Sequence, residues 1–584
     1  MAHRHNPTTI EPASEPPKPP SLFQNLIEVR DLWVKYRGSQ DHALKGINLK
    51  ISEGEVVGII GPTAAGKTTL AKAMCGLIPH LGAYDDFHGQ VIVGGLLTAD
   101  HRPGELSQKS AIVLQDYETQ LFRTTAELEV AFGPENLCLP REEIQKRVKH
   151  SLQVTELSGF ENRYTFALSG GQKQRLAIAS TLSSLPDVLT MDESTSDLDP
   201  LGKHEVYRVI RSMLDQRQIK ALVLIDHHLD RLYEFVTRVI VLKNGQIVKD
   251  GSPRDVFSEV ELLESSKLAT PETAKIYYRL GLKTQQLPMT VDEALAFVPA
   301  GRYESTPPDE QIPQQRENAI EFDGVSFSYD PGVWVIKEIS LRIAKGESVG
   351  LIGQNGSGKT TLAQLMMGIL LPKKGRIGIF GRDVTKEGVV ARGQYMGYVF
   401  QNPDYQIFNT SVREELAYGP VHSNLPKDEV ERRVNNTASL LGIESLLDED
   451  PFFLGKADRQ RVAVASVLTL NPKIVILDEP TTGLSPGETM SIMELASDLN
   501  RAGTTLIVIS HDMWVITKFC ERTILLSNGE TVLDGPTRSV FSKIDLLQSN
   551  HIRVPQVVEL SQRLFNQTYL TPEEFIEKVR LKDA

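Results

Sequence analysis

The chain has 584 residues, too many for one hydrophobic core and enough for about two to four domains of ordinary size. Its 40% hydrophobic and 24% charged content belongs to a water-soluble globular protein, and a net charge of −12 argues against a face built to neutralise many nucleic-acid phosphates. Cys75, Cys138 and Cys520 are far apart with no CxxC pair, which excludes a disulfide framework, gives no support to a zinc or iron-sulfur site, and makes a reducing cytoplasm the simplest compartment.

No apolar run approaches the roughly 18 to 20 residues of a membrane-spanning helix. The first 25 residues are rich in Pro, Ser and Thr, lack the apolar core of a secretory signal, and read as a disordered tail. From Ile27 onward the chain repeats itself. IEVRDLWVKYRG is matched by IEFDGVSFSYDPG from Ile320, GEVVGIIGPTAAGKTTL by GESVGLIGQNGSGKTTL, VLQDYETQLF by VFQNPDYQIF, and VLTMDES by IVILDEP. Constant order with little drift in offset means a duplicated domain.

Each copy opens with short alternating or wholly apolar runs, which read as strands, and turns to helical periodicity after a glycine-rich loop. Ile144, Val148 and Leu152 share one helical face, as do Val430, Val434 and Ala438 in the second copy, so a helical subdomain is inserted in each α/β unit. The segments SPRDVFSEVELLE and GPTRSVFSKIDLLQ begin a small helical extension after each unit. The expected division is a tail at 1–25, a first α/β domain at 26–255, its extension at 256–298, a flexible join at 299–317 containing PPDEQIPQQ, a second α/β domain at 318–540 and its extension at 541–584.

GPTAAGKT from Gly61 and GQNGSGKT from Gly353 both fit G-x-x-x-x-G-K-[ST] between an apolar strand and a helix. In such a loop backbone N–H groups wrap phosphates. Here Gly61, Gly66, Lys67, Thr68 and Thr69, and Gly353, Asn355, Gly356, Ser357, Gly358, Lys359, Thr360 and Thr361, are the candidates, with Thr68 and Thr360 as magnesium ligands. Asp192 and Asp478 each end an apolar strand, where a carboxylate can hold magnesium through water. Glu193 and Glu479 follow directly, placed to polarise an attacking water. A lone Asp-Glu pair is usually a solvated turn, but behind a phosphate loop in both copies it reads as functional. His227 and His511 follow another apolar strand, and repeat alignment selects His227 over His228. Tyr36 and Tyr329 precede the loops and can stack on an adenine face, although strand aromatics are as often core.

The stretch LSGGQKQR, Leu168 to Arg175, opens a helix with Ser169, Gly170, Gly171 and Gln172, leaving backbone N–H groups unshielded and able to hold a terminal phosphate. Its counterpart, Leu454 to Arg461, reads LGKADRQR, with Lys456 and Ala457 in place of the two glycines.

Phosphate loop, Gln115, LSGGQ, strand-Asp-Glu and His227, in that order, resemble the ATP-binding-cassette ATPase domain, and the resemblance covers both copies. It implies an α/β fold of two P-loop cassettes, ATP and Mg2+ as ligands, and head-to-tail pairing of the cassettes within the chain. Each ATP would then lie between the phosphate loop of one cassette and the signature of the other. It also implies that Gln115 and Gln401 ligate magnesium and sense a transmembrane partner, and that Asp199 serves the opposite site. QDYETQLFRTTAELEVAFGPENL and QNPDYQIFNTSVREELAYGP further resemble the ATPases of energy-coupling factor transporters, importers of vitamins and of cobalt or nickel. That likeness implies a transmembrane coupling protein and a membrane-embedded substrate-binding subunit as partners, a peripheral position on the cytoplasmic face of the membrane, and no nucleic acid. A tandem sugar-importer ATPase is the nearest alternative. A soluble tandem-cassette factor acting on ribosomes or nucleic acid is the alternative of another class, disfavoured by the short, non-basic join and the lack of a cysteine cluster.

Three departures fall on one composite site: LGKADRQR would face the first phosphate loop, that loop has Ala64 where the second has Gly356, and Ser485 replaces Asp199. The expectation is one competent ATP site, built on Lys359, and one degenerate site, built on Lys67.

Overall fold

The structure, a computed structural model, describes residues 25–195, 200–226, 233–282, 286–297, 303–308 and 316–581. All of the expected tail but Asn25, which opens the first strand, lies outside these residues, as do His227, Asp199 and much of the expected join.

Five-residue runs that are apolar but for a closing Asp or an inner Thr become central strands because both of their faces are buried. In the first copy these are Val56–Ile60, Val188–Asp192 and Ala221–Ile225, every residue of which is buried. They sit in a six-stranded sheet ordered Gln246–Gly251, Arg238–Lys243, Val56–Ile60, Ala221–Ile225, Val188–Asp192, Ser110–Val113. Four of the five pairings are parallel. The second copy repeats this sheet with Ser348–Ile352, Ile474–Asp478 and Thr505–Ile509 at its centre. Beside each lies a four-stranded antiparallel sheet, in which Asn25–Tyr36 and Asn318–Phe327 are the strands that carry Tyr36 or lead to Tyr329. This is the expected α/β architecture with two P-loop units. Among the described residues no helix is long and apolar enough to cross a membrane.

The inserted helical subdomains consist of Ala126–Asn136, Arg141–Val154 and Gly170–Ser183, and of Val412–His422, Lys427–Leu441 and Lys456–Leu468. Their amphipathic faces are those read from the sequence: Val148 and Leu152 are buried, with Ile144 packed at the edge of the same cluster, and Val430, Val434 and Ala438 are buried in the second copy.

The sequence does not announce what the two extensions do with each other. Helices Glu272–Arg279 and Val291–Phe297 of the first pack against Gln556–Phe565 and Pro572–Lys578 of the second. Gln556 accepts from the backbone N–H of Thr273 at 3.3 Å and donates to the carbonyl of Met289 at 2.9 Å, while the N–H of Val557 donates to Glu272 at 2.8 Å. Lys275 meets Glu573 at 2.6 Å and Arg563 meets Asp292 at 2.7 Å. Around these polar links Tyr277, Tyr569 and Phe575 are buried in one continuous apolar cluster. The segment expected as a flexible join contributes a strand, Tyr303–Ser305, paired antiparallel with Val579–Leu581, and the Tyr569 hydroxyl donates to the carbonyl of Thr306 at 2.8 Å. Both partners of Gln556 are on buried residues, so truncating its side chain strands two backbone groups away from water. Gln556→Ala is expected to cost about 2 kcal/mol and to lower the apparent melting temperature of the full chain by a few degrees. Phe453→Ala, at a ring 89% exposed, is the control expected to leave it unchanged.

Candidate functional site

Both phosphate loops leave the end of a buried strand and enter a helix, Lys67–Met74 or Lys359–Met367, that has no side-chain N-cap and no acidic residue in its first turn. Their first N–H groups are therefore available to an anion, with the helix dipole behind them. Gly66 and Gly358 start the helices at φ of 100° and 104°; a Cβ on Gly66 would lie 2.4 Å from the carbonyl oxygen of Ala43. Lys67 reaches back to the carbonyls of Gly61 and Pro62 at 2.9 and 3.1 Å, and Lys359 to those of Gly353 and Gln354 at 2.8 and 2.9 Å. Both ammonium groups are thus held by backbone carbonyl acceptors of their own loops. Ala64 sits at φ 61° where Gly356 has φ 79° with open space around it, so its methyl group fits at a conformational cost of about 1 kcal/mol. Tyr36 and Tyr329 bond to the second threonine of each loop, Thr69 and Thr361, at 3.2 Å.

Sheet order places the carboxylates. Asp192 and Asp478 end strands one removed from the phosphate-loop strand, pairing with Ile225 and Ile509 in register. Both oxygens of Asp192 are buried without a hydrogen-bond partner, and burial, aided by the neighbouring charge of Glu193, pushes its carboxyl up to about 6. An orphaned, desolvated carboxylate beside the Thr68 hydroxyl fits a divalent cation, and Asp192 with Thr68 would hold one there. Asp478 accepts instead from the Tyr398 hydroxyl at 2.6 Å and from Thr360 at 3.4 Å. The first-copy counterpart of Tyr398 is Ile112, a difference that the repeat alignment contains but that no motif flags.

Glu193 and Glu479 stand at φ 50° and 49°, a left-handed conformation costly for a long side chain and repeated in both copies. Gln115 donates to Glu193 at 2.7 Å, and Lys67 lies 3.9 Å from the same carboxylate. Glu479 is buried and its carboxyl is raised well above the usual range by desolvation, with Lys359 opposing. The N–H of His511 donates to it at 3.2 Å, and the His511 imidazole lies 3.1 Å from its other oxygen and 2.9 Å from Asn355 of the phosphate loop.

A cavity of about 1110 Å³ joins the two copies. Ser169, Gly170 and Gly171 line one wall, and Gly356, Lys359, Thr360, Gln401, Glu479 and His511 line the other. The intact signature of the first cassette thus faces the phosphate loop of the second, the head-to-tail arrangement the resemblance implies. Ser169 caps its helix by exchanging bonds with Gln172, at 3.0 and 3.4 Å, and a Cβ on Gly170 would have only the Tyr117 hydroxyl near it. Helix Lys456–Leu468 begins differently: its cap is Gly455, without a side-chain bond, and Asp458 stands in the first turn, paired with Arg461. A carboxylate at that end lowers the attraction of the N-terminus for an added anion. On that side the first phosphate loop touches the second cassette through Thr63, which donates to Glu488 at 2.8 Å.

A family model described as "ABC transporter" matches residues 44–196 and 336–482. A protein of Caldanaerobacter subterraneus subsp. tengcongensis, provisionally designated an ABC transporter ATP-binding protein, is 38% identical over 95% of this chain and 99% of its own length. A provisionally designated ABC transporter ATP-binding protein of Methanosarcina mazei is 36% identical over 92% of this chain and 94% of its own. A solved structure of cbiO1 from Clostridium perfringens, described as part of the ABC transporter complex cbiONQ, is 33% identical, spans 42% of this chain and all of that one, and has a TM-score of 0.38. With two matched cassettes and relatives aligned almost end to end, the chain belongs to the ATP-binding proteins of the ABC transporter family, as a tandem ATPase whose two cassettes bind ATP.

Proposed function

We propose that the protein is the energising subunit of an importer of the energy-coupling factor type, with a fast ATP site built on Lys359 and a slow one built on Lys67. The observation that carries the asymmetry is the shared cavity: the only intact signature, Ser169 to Gln172, lies across from Lys359, Glu479 and His511. In that site backbone N–H groups of two helix N-termini converge on one anion from opposite sides, the arrangement that stabilises charge developing on a transferred phosphoryl group. Glu479 positions and deprotonates water, His511 orients Glu479 against Asn355, and Asp478 and Thr360 with Gln401 are the groups that would hold magnesium, which would neutralise charge on the phosphates. The slow site keeps Glu193, Asp192 and the phosphate loop, so it binds nucleotide, but head-to-tail pairing would set it against a helix whose first turn carries Asp458 and lacks the two glycines.

The importer type is supported by the loop after each Gln. The side chain of Gln120 accepts from the N–H of Leu114 at 2.8 Å and donates to Ile112 at 3.1 Å; Gln406 accepts from Phe400 at 3.3 Å and donates to Ala463 at 2.7 Å. Buried Glu129 and Glu415 then accept from the N–H groups of Phe122 and Arg123, and of Phe408 and Asn409. The result is a rigid loop that holds Phe122 and Phe408 60% and 56% exposed, each edge-on to a ring at 4.6 Å, Phe132 or Tyr418. Apolar rings fixed outward at matching places in both copies suit helices of a membrane protein.

Glu479→Gln is expected to reduce steady-state ATP hydrolysis by about 100-fold or more, and Glu193→Gln by no more than about threefold; equal losses would sink the asymmetry. Because the Glu479 carboxyl is raised by burial and must be charged to take a proton, kcat/KM for ATP should climb with pH through a limb lying above the ordinary glutamate value of about 4.3. Glu193→Gln should keep that limb. Finally, a transmembrane coupling protein should carry the chain into the membrane fraction, and the pair Phe122→Asp and Phe408→Asp should abolish this while leaving the melting temperature unchanged. Failure of the unmodified chain to associate with any such protein removes the importer reading.

A further inference from the structure

Thr63, the third residue of the first phosphate loop, gives its hydroxyl proton to Glu488 of the other cassette, 2.8 Å away. The acceptor is not a loose surface carboxylate. Glu488 occupies the third position of helix Pro486–Arg501, and the same oxygen accepts from the Ser485 N–H at 2.8 Å and the Ser485 hydroxyl at 2.7 Å, a capping box that fixes it at the helix end. In the first copy the matching positions are Asp199 and Gly202. The acidic group has therefore moved from the cap to the third position of the helix: Asp with Gly in one copy, Ser with Glu in the other.

The relocation coincides with the altered signature. A terminal phosphate joins two cassettes because it is an anion accepting hydrogen bonds from both sides. Head-to-tail pairing would set against the first phosphate loop a helix with Lys456 and Ala457 for glycines, whose side chains shield the backbone N–H groups, and with Asp458, paired to Arg461, in its first turn, while Glu488 brings an acceptor anion of its own to the loop.

We propose that Glu488 replaces the terminal phosphate as the bridge across the first composite interface. It is a positioning residue that keeps the first phosphate loop joined to the second cassette whether the bound nucleotide has three phosphates, two, or is absent. At the second interface Gly202 stands at the matching place and has no carboxylate to offer. The inference builds on the reading of the Lys67 site as the slow one.

Hydrogen exchange of the full chain, followed in the peptides covering 61–68 and 486–501, reads the bridge without any need for turnover. With no nucleotide, with ADP and with ATP, the unmodified chain should protect peptide 486–501 to within about twofold, whereas peptide 61–68, whose N–H groups would bond the phosphates directly, is compared between variants only in the absence of nucleotide. Glu488→Ala, or the near-isosteric Thr63→Val, should speed their exchange about tenfold in the absence of nucleotide, the loss expected for one hydrogen bond to a charged acceptor. The double variant should add nothing further, and Glu488→Gln, which still accepts a hydrogen bond, should keep most of the protection. Helices Glu272–Arg279 and Gln556–Phe565 serve as the internal reference; if Glu488→Ala loosens these as well, Thr63→Val alone decides. The proposal is overturned if peptide 486–501 of the unmodified chain loses protection without nucleotide, or if Thr63→Val leaves exchange at its original rate. Equal ATPase losses from Glu479→Gln and Glu193→Gln would remove the slow-site reading and leave this measurement standing.

Discussion

The pairing of the two helical extensions is the constraint on which the composite geometry depends. Two P-loop units in one chain could meet in more than one way, and the Thr63–Glu488 link is a single hydrogen bond, too little by itself to fix the orientation of a whole domain. Gln556 bonded to Thr273 and Met289, Glu272 bonded to Val557, and strand Tyr303–Ser305 closed on Val579–Leu581 fasten the base of one copy to the base of the other. With the bases joined, cassette contact becomes an intramolecular event at high effective concentration. The extensions also line the far side of the shared cavity, through Glu272, Lys275, Gln556 and Glu573.

On that frame the two ATP sites differ by chemistry at helix ends and not by fold. The strained Glu193 and Glu479, the buried lysines folded onto their own loops, and the tyrosine bonded to the second threonine recur in both copies with nearly the same geometry. What changes is the charge and shape offered to an anion. Helix Gly170–Ser183 starts with a serine cap and two residues without side chains; helix Lys456–Leu468 starts with an uncapped glycine and carries a carboxylate in its first turn. Such substitutions leave strand order and core untouched, which is how one scaffold can hold a fast site and a slow one.

The parts legible in the sequence were those with a local physical cause. Five-residue apolar runs are of buried-strand length, and the two phosphate loops are specified by glycines at positions where a side chain would strike backbone, as at Gly66 against Ala43. The signature pairing was legible only through the family likeness. Contacts between copies were not legible, because Gln556 and Glu272 lie in unremarkable polar stretches and acquire meaning only when the extensions meet. Glu488 and Tyr398 fall between these cases: the exchange of Asp199 and Gly202 for Ser485 and Glu488, and of Ile112 for Tyr398, is present in the repeat alignment, yet nothing local marks those positions as touching a phosphate loop or Asp478.

The same sheet geometry bears on how a phosphate could be felt at a membrane partner. Strand Ser110–Val113 lies directly beside Val188–Asp192, with Val113 opposite Met191, and runs on through Gln115 into the loop that holds Phe122 outward. The second copy repeats the order, with Val399 opposite Leu477 before Gln401 and Phe408. Only one strand spacing therefore separates the carboxylates at the phosphate from the loop that presents the exposed ring. The two copies use this short path unequally. Gln115 is tied to Glu193 at 2.7 Å, whereas Gln401 lines the cavity that the nucleotide would enter. On the proposed reading, arrival of a nucleotide in the fast site re-bonds Gln401 and moves the loop of Phe408, while the loop of Phe122 keeps its place. A partner gripping both rings would then be turned about the first cassette by the second.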